Sequence, residues 1–570
     1  MLNVRLYRTC WLVAGVALIV ALLSLETPDT GTEPVLPSAI DGQGTLDLSN
    51  QLSAIAPDRP PGSDADLQAA QWVRGQLAQV PGGAGRVQIQ DLVASSGGER
   101  VSLRNVYLVV PGTAGLRPMP GIVVLAPRDT PPGVSAGASA TAVMLRLARA
   151  SATTRHERPH LFVSVDGNTV GNAGTRWFLR RFSSFPLEAA IVLDGPGDAQ
   201  GDRVHVWIRG RTDRQSAGLA PFAERGGARA GGRSDATPSL ADQLLGLAVP
   251  QTFGDQGAAI GLGLAAVTLS GRPDSPLTDA PAPTADRMEL VANAANDLLG
   301  AFDATARVPN ADGSLELAGK RLRPTATRLA LLLLALPVLA LAVDAAAGLR
   351  RARVPLLPGV RAVGLRALPL LAGLAAAYLL SLGGLLPRPS AGVPPLPAEA
   401  RFGAAAALGL VVAIGAGVLA SVWTRRRARR LDVPPSSEGT AALVSLGGVL
   451  VLLWIVSPFA LVLALPAAHA AAVGGAARRP WQLAGLAAVA LLPVLALVLN
   501  MSGHLGSNPV FAAWYLVVTT TSGARGAVGP IATALVVACV WSMALHVLLR
   551  ARKGRAAPRP RRRVAPAPRL

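Results

Sequence analysis

Cysteine is nearly absent: two in 570 residues, Cys10 and Cys539, both inside apolar runs. The polar portion between them therefore has no disulfide and no thiolate metal site. Charge is scarce too, at 15% of residues, against about 25% in soluble proteins. Of six histidines, only His156, His160 and His205 precede the long apolar runs. No G-x-S-x-G elbow surrounds Ser135 or Ser139, and there is no P-loop or complete dinucleotide fingerprint, so serine-nucleophile and nucleotide chemistry lack their usual motifs. The apolar runs contain almost no acids. Asp344, His469 and His546 sit near their ends, whereas proton and ion relays place acids within lipid.

What is present is apolar surface, at 51% of residues, concentrated after Leu329. The opening MLNVRLYRTCWLVAGVALIVALLSL pairs two arginines with an apolar segment and reads as an uncleaved signal anchor. Seven further spans are expected at 329–343, 368–386, 404–423, 441–455, 459–473, 483–499 and 528–549, with Ser457-Pro458 as a hairpin turn. Residues 510–521 read as interfacial or re-entrant. The net charge of +20 comes from arginines in short loops (350–366, 425–430, 478–479) and from the tail ARKGRAAPRPRRRVAPAPRL. That bias places both termini in the cytoplasm and the polar domain outside, at the plasma membrane if the cell is bacterial. Aromatics do not interleave with the basic residues, so the expected partner is membrane lipid and not nucleic acid. The chain divides into an anchor (1–25), a linker (26–62), an extracytoplasmic domain (63–305), a second linker (306–328), a bundle of about seven helices (329–549) and a basic cytoplasmic tail (550–570).

Within the polar domain, SDADLQAAQWVRGQLAQ forms a capped amphipathic helix over 63–79. Strands are expected at 86–92, 105–110, 122–126, 161–166, 190–194, 204–208 and 265–269, with helices at 140–150, 173–182 and 285–302. The alternation predicts a mixed, mostly parallel sheet covered on both faces, a three-layer αβα fold. Several strands end in small or acidic residues, which is how a sheet delivers side chains to a site at its carboxyl edge. Gly133, Gly137, Gly167, Gly171 and Gly174 serve tight turns in these connections.

Six segments, NVYLVVPGT, GIVVLAPRDT, GVSAGASATAVMLRLARA, FVSVDGNTVGNAGTRWF, AAIVLDGPGD and LAAVTLSGRPDSPLTDAP, resemble in order the M28 family of zinc aminopeptidases. The resemblance implies that family's fold but not its full ligand set. The family's first metal His falls on Pro127, and its partner Asp on Asp129. The zinc-bridging Asp falls on Ala136, the general-base Glu on Asn168 and the adjacent ligand Glu on Thr169. The later-strand Asp is kept as Asp194, and the last His falls near Asp274. None of the three domain histidines lies at an aligned ligand position. Proline, alanine and threonine are poor zinc ligands, and asparagine cannot serve as a carboxylate base. The expectation is a site with no catalytic residue and no cofactor, zinc entering only if the chain is an active peptidase. Asp129, Asp166, Asp194 and Asp274 could surround one hard cation such as calcium, with Asp194 and Asp274 the remaining metal candidates. The competing reading makes Asp129 and Asp194 capping or loop hydrogen bonders.

A single anchor, a degenerate M28-like domain and a carboxyl-terminal bundle are together similar to the Gaa1-type subunit of the GPI transamidase. That similarity implies a subunit which binds a peptide, protein or lipid-linked substrate beside a separate catalytic membrane protein. The alternatives are an active membrane-bound M28 aminopeptidase and a transporter with an extracytoplasmic domain.

Overall fold

The structure, a computed structural model, describes residues 3–27, 39–96, 99–113, 119–131, 138–198, 201–235, 238–276, 281–317, 319–387, 400–428, 430–431, 433–474, 480–522 and 527–556. Helix α1 (Val4–Leu23) is followed by α2 (Gly42–Ile55) and α3 (Asp64–Ala78). Then come β1 (Gln88–Ser96), β2 (Glu99–Val110), β3 (Gly121–Pro127), α4 (Ala138–Thr153), β4 (His160–Val165), α5 (Ala173–Arg181) and β5 (Leu187–Asp194). The domain closes with β6 (Arg203–Trp207), α6 (Ala220–Arg229), β7 (Arg233–Ser234), α7 (Leu240–Ala248), α8 (Asp255–Gly261), β8 (Ala265–Ser270) and α9 (Ala285–Ala304), then the short hairpin β9 (Leu315–Leu317) and β10 (Lys320–Leu322).

Eight strands form one sheet in the order β1-β2-β4-β3-β5-β8-β6-β7. The central four, β4, β3, β5 and β8, run parallel, and β1, β2 and β6 pair antiparallel outside them. Central strands read as continuous apolar runs because both faces are covered. In β3, Ile122, Val124 and Ala126 pack with α4, α6 and α9, while Val123 and Leu125 pack with Phe178 of α5 and Ile260 of α8. The fold is therefore a three-layer αβα sandwich.

The stretch expected to be a linker contains α2, capped by Asp41, whose carboxylate accepts from Gln43 N and Gly44 N. Its sequence GQGTLDLSNQLSAI is too polar for a strong periodic signal. Only packing against α9 and α4 buries Leu48 and Leu52. Gly42 allows that approach, since a Cβ there would meet the Ala285 carbonyl oxygen at 2.3 Å. The sequence pattern likewise left α6, α7 and α8 unassigned.

The carboxyl-terminal half is all helical: α10 (Pro324–Arg351), α11 (Leu357–Leu382), α12 (Ala404–Ala428), α13 (Pro435–Val456), α14 (Leu461–Gly474), α15 (Pro480–Leu505), α16 (Pro509–Thr521) and α17 (Val528–Ala556). Seven helices among the described residues, α1, α10, α11, α12, α13, α15 and α17, are long and apolar enough to cross a membrane. Side-chain contacts order the bundle. Asn3 at the start of α1 donates to Asp344 near the end of α10, and Glu26 beyond α1 pairs with Arg321 before α10. The two helices are thus antiparallel, with the α/β domain at the Glu26 end. Helix α13 ends on the domain side, where Trp454 Nε1 donates to Arg328 O. Helix α15 also ends there, at His504 beside Arg209. The chain returns between them through the shorter Pro458–Gly474 segment, which starts at Phe459 beside Gly313 and brings His469 to Tyr7 Oη. The arginines ending α10 and α12 lie on the face away from the domain.

One polar network joins the first domain helix to the sheet. Arg128, fully buried just after β3, donates from Nε and Nη2 to the two oxygens of Asp66 on α3, both at 2.8 Å. Its remaining donors reach Ser164 Oγ and the Arg104 carbonyl. Removing one partner of such a pair strands a buried charge and costs roughly 3–5 kcal/mol. Asp66→Asn is expected to lower the thermal unfolding midpoint of the domain strongly. Asp66→Leu combined with Arg128→Met, which removes both members of this pair and leaves Asp166 to stay protonated, should recover part of the loss. Equal losses in the single and double variants would contradict this.

Candidate functional site

The parallel strands end together at Pro127, Val165, Asp194 and Ser270. This edge gathers buried charge. Arg128 lies 3.5 Å from Asp166 as well as on Asp66. Asp166 Oδ2 accepts from Arg104 N at 2.9 Å. Burial pushes Asp166 up to about 8 against the pull of Arg128, with Asp66 and Asp129 adding to the rise.

Asp129 points at the turn after β4. Its carboxylate accepts from Asn168 N at 2.8 Å, Thr169 N at 2.9 Å and Thr169 Oγ1 at 2.8 Å. Burial still holds its pKa above the usual carboxylate range. The turn needs left-handed backbone at Gly167 (φ +73°) and Gly171 (φ +73°), and even Asn172 adopts it (φ 54°). Gly174 is required by proximity, since a Cβ would meet the Asp166 carbonyl oxygen at 2.2 Å. Asn105 on β2 closes the turn, donating to Gly174 O and accepting from Asp166 N. The Asn168 side chain accepts from Asn172 Nδ2.

Asp194 ends β5 facing a guanidinium. Arg272 Nη2 lies 3.1 and 3.0 Å from its two oxygens. Arg272 also approaches Asp198 at 3.7 Å and lies over the Trp207 ring. Burial raises Asp198 to about 6, opposed by Arg272 and aided by Asp194.

Asp129, Asn168 and Thr169 are thus in direct contact, with Pro127 buried two residues before Asp129. Ala136, with Gly133, Ser135 and Gly137, lies outside the described residues. Asp129, Asp166, Asp194 and Asp274 do not form a group with metal-ligand spacing. Asp274 accepts from Phe253 N at 3.1 Å and turns toward the membrane bundle. There it helps line a small cleft, of about 20 Å³, with Arg209, Phe253, Leu497, Met501 and His504. Arg209 Nη1 donates to His504 Nε2 at 2.7 Å. Both walls are mixed: Arg209, Gln251 and Asp274 beside Leu245, Val249 and Phe253 on the domain side, and Asn500 and His504 beside Leu497 and Met501 on α15.

Sequence reasoning missed Arg272, Arg211, Asp198 and Asp255. Asp255 opens α8 inside TFGDQGAAI, where an acid between a glycine and a glutamine looks like an exposed cap. Instead it is 1% exposed, and neither carboxylate oxygen has a full hydrogen bond, although Asn172 and Thr175 lie beside it. Asp129 and Asp194 both act on it electrostatically, so it sits within the same edge. Arg211 bridges that edge, with Asn172 Oδ1 as one acceptor and Thr252 O as another.

Burial lifts Asp255 from its ordinary 3.8 to about 7. A carboxyl group raised in this way stabilises the fold fully below its unfolded pKa, and that contribution is lost as pH rises through the folded pKa. Thermal stability should therefore fall between pH 4 and pH 8, and Asp255→Asn should flatten that part of the profile. An unchanged slope in the variant would contradict the assignment.

No protein-family model matches the chain, and no curated protein matches it. Solved structures do. A glutaminyl cyclase from an Acidobacteriales bacterium aligns at 16% identity and TM-score 0.37, over 47% of this chain and 96% of its own. A zinc aminopeptidase from Bacillus subtilis aligns at 11% identity and TM-score 0.38, over 47% and 96%. An aminopeptidase from Aneurinibacillus sp. strain AM-1 aligns at 11% identity and TM-score 0.37, over 48% and 97%. The structural neighbours of the α/β half are thus zinc aminopeptidases and a glutaminyl cyclase.

Proposed function

We propose that this membrane protein is a recognition subunit. Its M28-like domain, catalytically degenerate, binds a peptide or lipid-linked substrate at the membrane surface and presents it to a separate catalytic protein, as a Gaa1-type subunit would. The observation that carries this reading is the cleft between the α/β domain and α15. Arg209, one of whose N–H groups already goes to His504 Nε2, supplies the remaining donors for an anionic or carbonyl group, while Leu497 and Met501 offer apolar surface from the bundle. A molecule with a polar head and a hydrocarbon tail matches both.

The residues at the assigned zinc positions do not fit two zinc ions. Asp129 accepts from backbone N–H groups and a hydroxyl, and Asp194 is neutralised by a guanidinium. Pro127, Asn168 and Thr169 add no carboxylate or imidazole. A zinc peptidase needs three or four such donors and a base for its water. Arginine charge takes the place that metal charge would hold.

The arginine-rich helix ends on the far face support an extracytoplasmic domain with both termini in the cytoplasm. A cysteine introduced at Glu99 should react with a membrane-impermeant maleimide in intact cells, and one at Arg426 only after permeabilisation. The reverse pattern would overturn the orientation.

Native mass spectrometry of the full-length protein after gentle detergent extraction tests the binding role. A retained lipid or peptide adduct is expected, weakened at least tenfold by Arg209→Ala and by a cleft-filling Met501→Trp, together with no turnover of aminoacyl substrates at any zinc concentration. Zinc-dependent hydrolysis abolished by Asp194→Asn would establish the peptidase reading instead.

A further inference from the structure

The amino ends of the parallel strands hold a second group of polar residues. His160 is the first residue of β4, and Val165 its last. At about 3.3 Å per residue the two edges are roughly 16 Å apart, so this group is separate from Asp129 and Asp194. His156 lies in the loop between α4 and β4, and Asp303 in the last turn of α9. Both histidines are buried, at 7% and 3% exposure. One ligand atom from each of His156, His160 and Asp303 lies within 4.8 Å of the other two.

The hydrogen bonds leave one position unsatisfied. His156 Nδ1 lies 2.7 Å from the Arg158 carbonyl oxygen, so that nitrogen carries the proton and donates it. Its Nε2 is then an acceptor, 3.4 Å from Ser151 Oγ. Ser151 Oγ lies 2.8 Å from His160 Nδ1, which donates to it when the hydroxyl proton is turned to His156. In that tautomer His160 Nε2 presents a lone pair; it is buried, without a partner at normal hydrogen-bond distance, and faces Asp303 Oδ1 at 3.6 Å. That spacing is too long for an N–H···O hydrogen bond. It is close to the ~3.4 Å that separates two donors of a tetrahedral ion with bonds of about 2.0–2.1 Å. Ring nitrogens anchored to a carbonyl and a hydroxyl are also the outer contacts that orient metal-binding histidines.

We propose that His156, His160 and Asp303 bind one divalent transition-metal ion, zinc in the first instance, as a structural clasp between the α4–β4 loop and the carboxyl end of α9. Two imidazoles and a carboxylate are a borderline donor set that suits zinc over calcium or magnesium. The rings are stacked, with centroids 4.1 Å apart and planes 11° from parallel. Loading therefore tilts one ring so that both Nε2 lone pairs meet the ion. The Arg158 charge, which disfavours positive charge at His160, is moderated by pairing with Glu188 and by bonds to the Thr305 and Ala306 carbonyls. Asp303, with 14% of its side chain exposed, provides the way in from solvent.

The test uses full-length protein in detergent, stripped with a chelator and titrated with cobalt. One equivalent should give the intense visible bands of a tetrahedral cobalt centre, and zinc should displace them. Because this readout needs no variant, the absence of stoichiometric binding to the wild-type protein overturns the proposal outright. His156→Gln, His160→Asn and Asp303→Asn should each weaken binding beyond the roughly 10–100-fold that outer-contact changes cost. Asp194→Asn and Asp274→Asn should leave it unchanged. Binding that survives His160→Asn but falls with Asp194→Asn would place the ion at the carboxyl edge and overturn the clasp.

Discussion

A guanidinium buried among carboxylates sets the character of this protein. Arg128 occupies the carboxyl edge of the sheet with Asp66 and Asp166 around it, and its charge makes a cluster of buried acids tolerable. A buried ion of that kind is stable only when paired and hydrogen-bonded throughout. The backbone around it is arranged accordingly. Ser164 and the Arg104 carbonyl take its spare donors, and Arg59 Nε donates to the Arg128 carbonyl. Helix α3, strands β2 to β4 and the turn at 166–174 are all fixed by this one side chain and its partners.

The same solution recurs along the edge. Arg272 neutralises Asp194 and approaches Asp198, and Arg211 reaches Asn172 beside Asp255. In a metal-dependent hydrolase, a cation that can bind water and polarise a carbonyl balances such acids. A guanidinium balances charge but coordinates nothing, so on the proposed reading an edge built on arginine keeps its shape without a means to activate water. Outside this edge, Asp274 and Arg209 share a small cleft with α15, and the domain and the bundle each bring polar and apolar groups to it.

Much of the sheet was legible because its central strands are unbroken apolar runs with Gly, Pro or Asp at their ends. GIVVLAP and AAIVLD admit few other readings. Long spans were legible for the same reason. The turn from Asp166 to Gly174 was readable as glycine-dependent, and Asp129 as one of two loop-bonding acids. Arg272 and Asp255 were not legible, since each acts through neighbours distant in sequence: Asp194 is 78 residues from Arg272. Helix α2 was hidden by its polar composition and exists through tertiary packing. His156 and His160 were visible but lay off the aligned ligand positions, and their third partner, Asp303, lies on another element far along the chain.

On the proposed reading, arginine charge stands where metal charge would at the carboxyl edge, and a metal-ligating set lies at the amino edge. Anomalous diffraction at the zinc absorption edge, from crystals of the full-length protein soaked in zinc, tests it most directly. One peak is predicted, between His156, His160 and Asp303, with none within coordination distance of Asp129 or Asp194. A peak at Asp194, with the Arg272 side chain displaced, would contradict it.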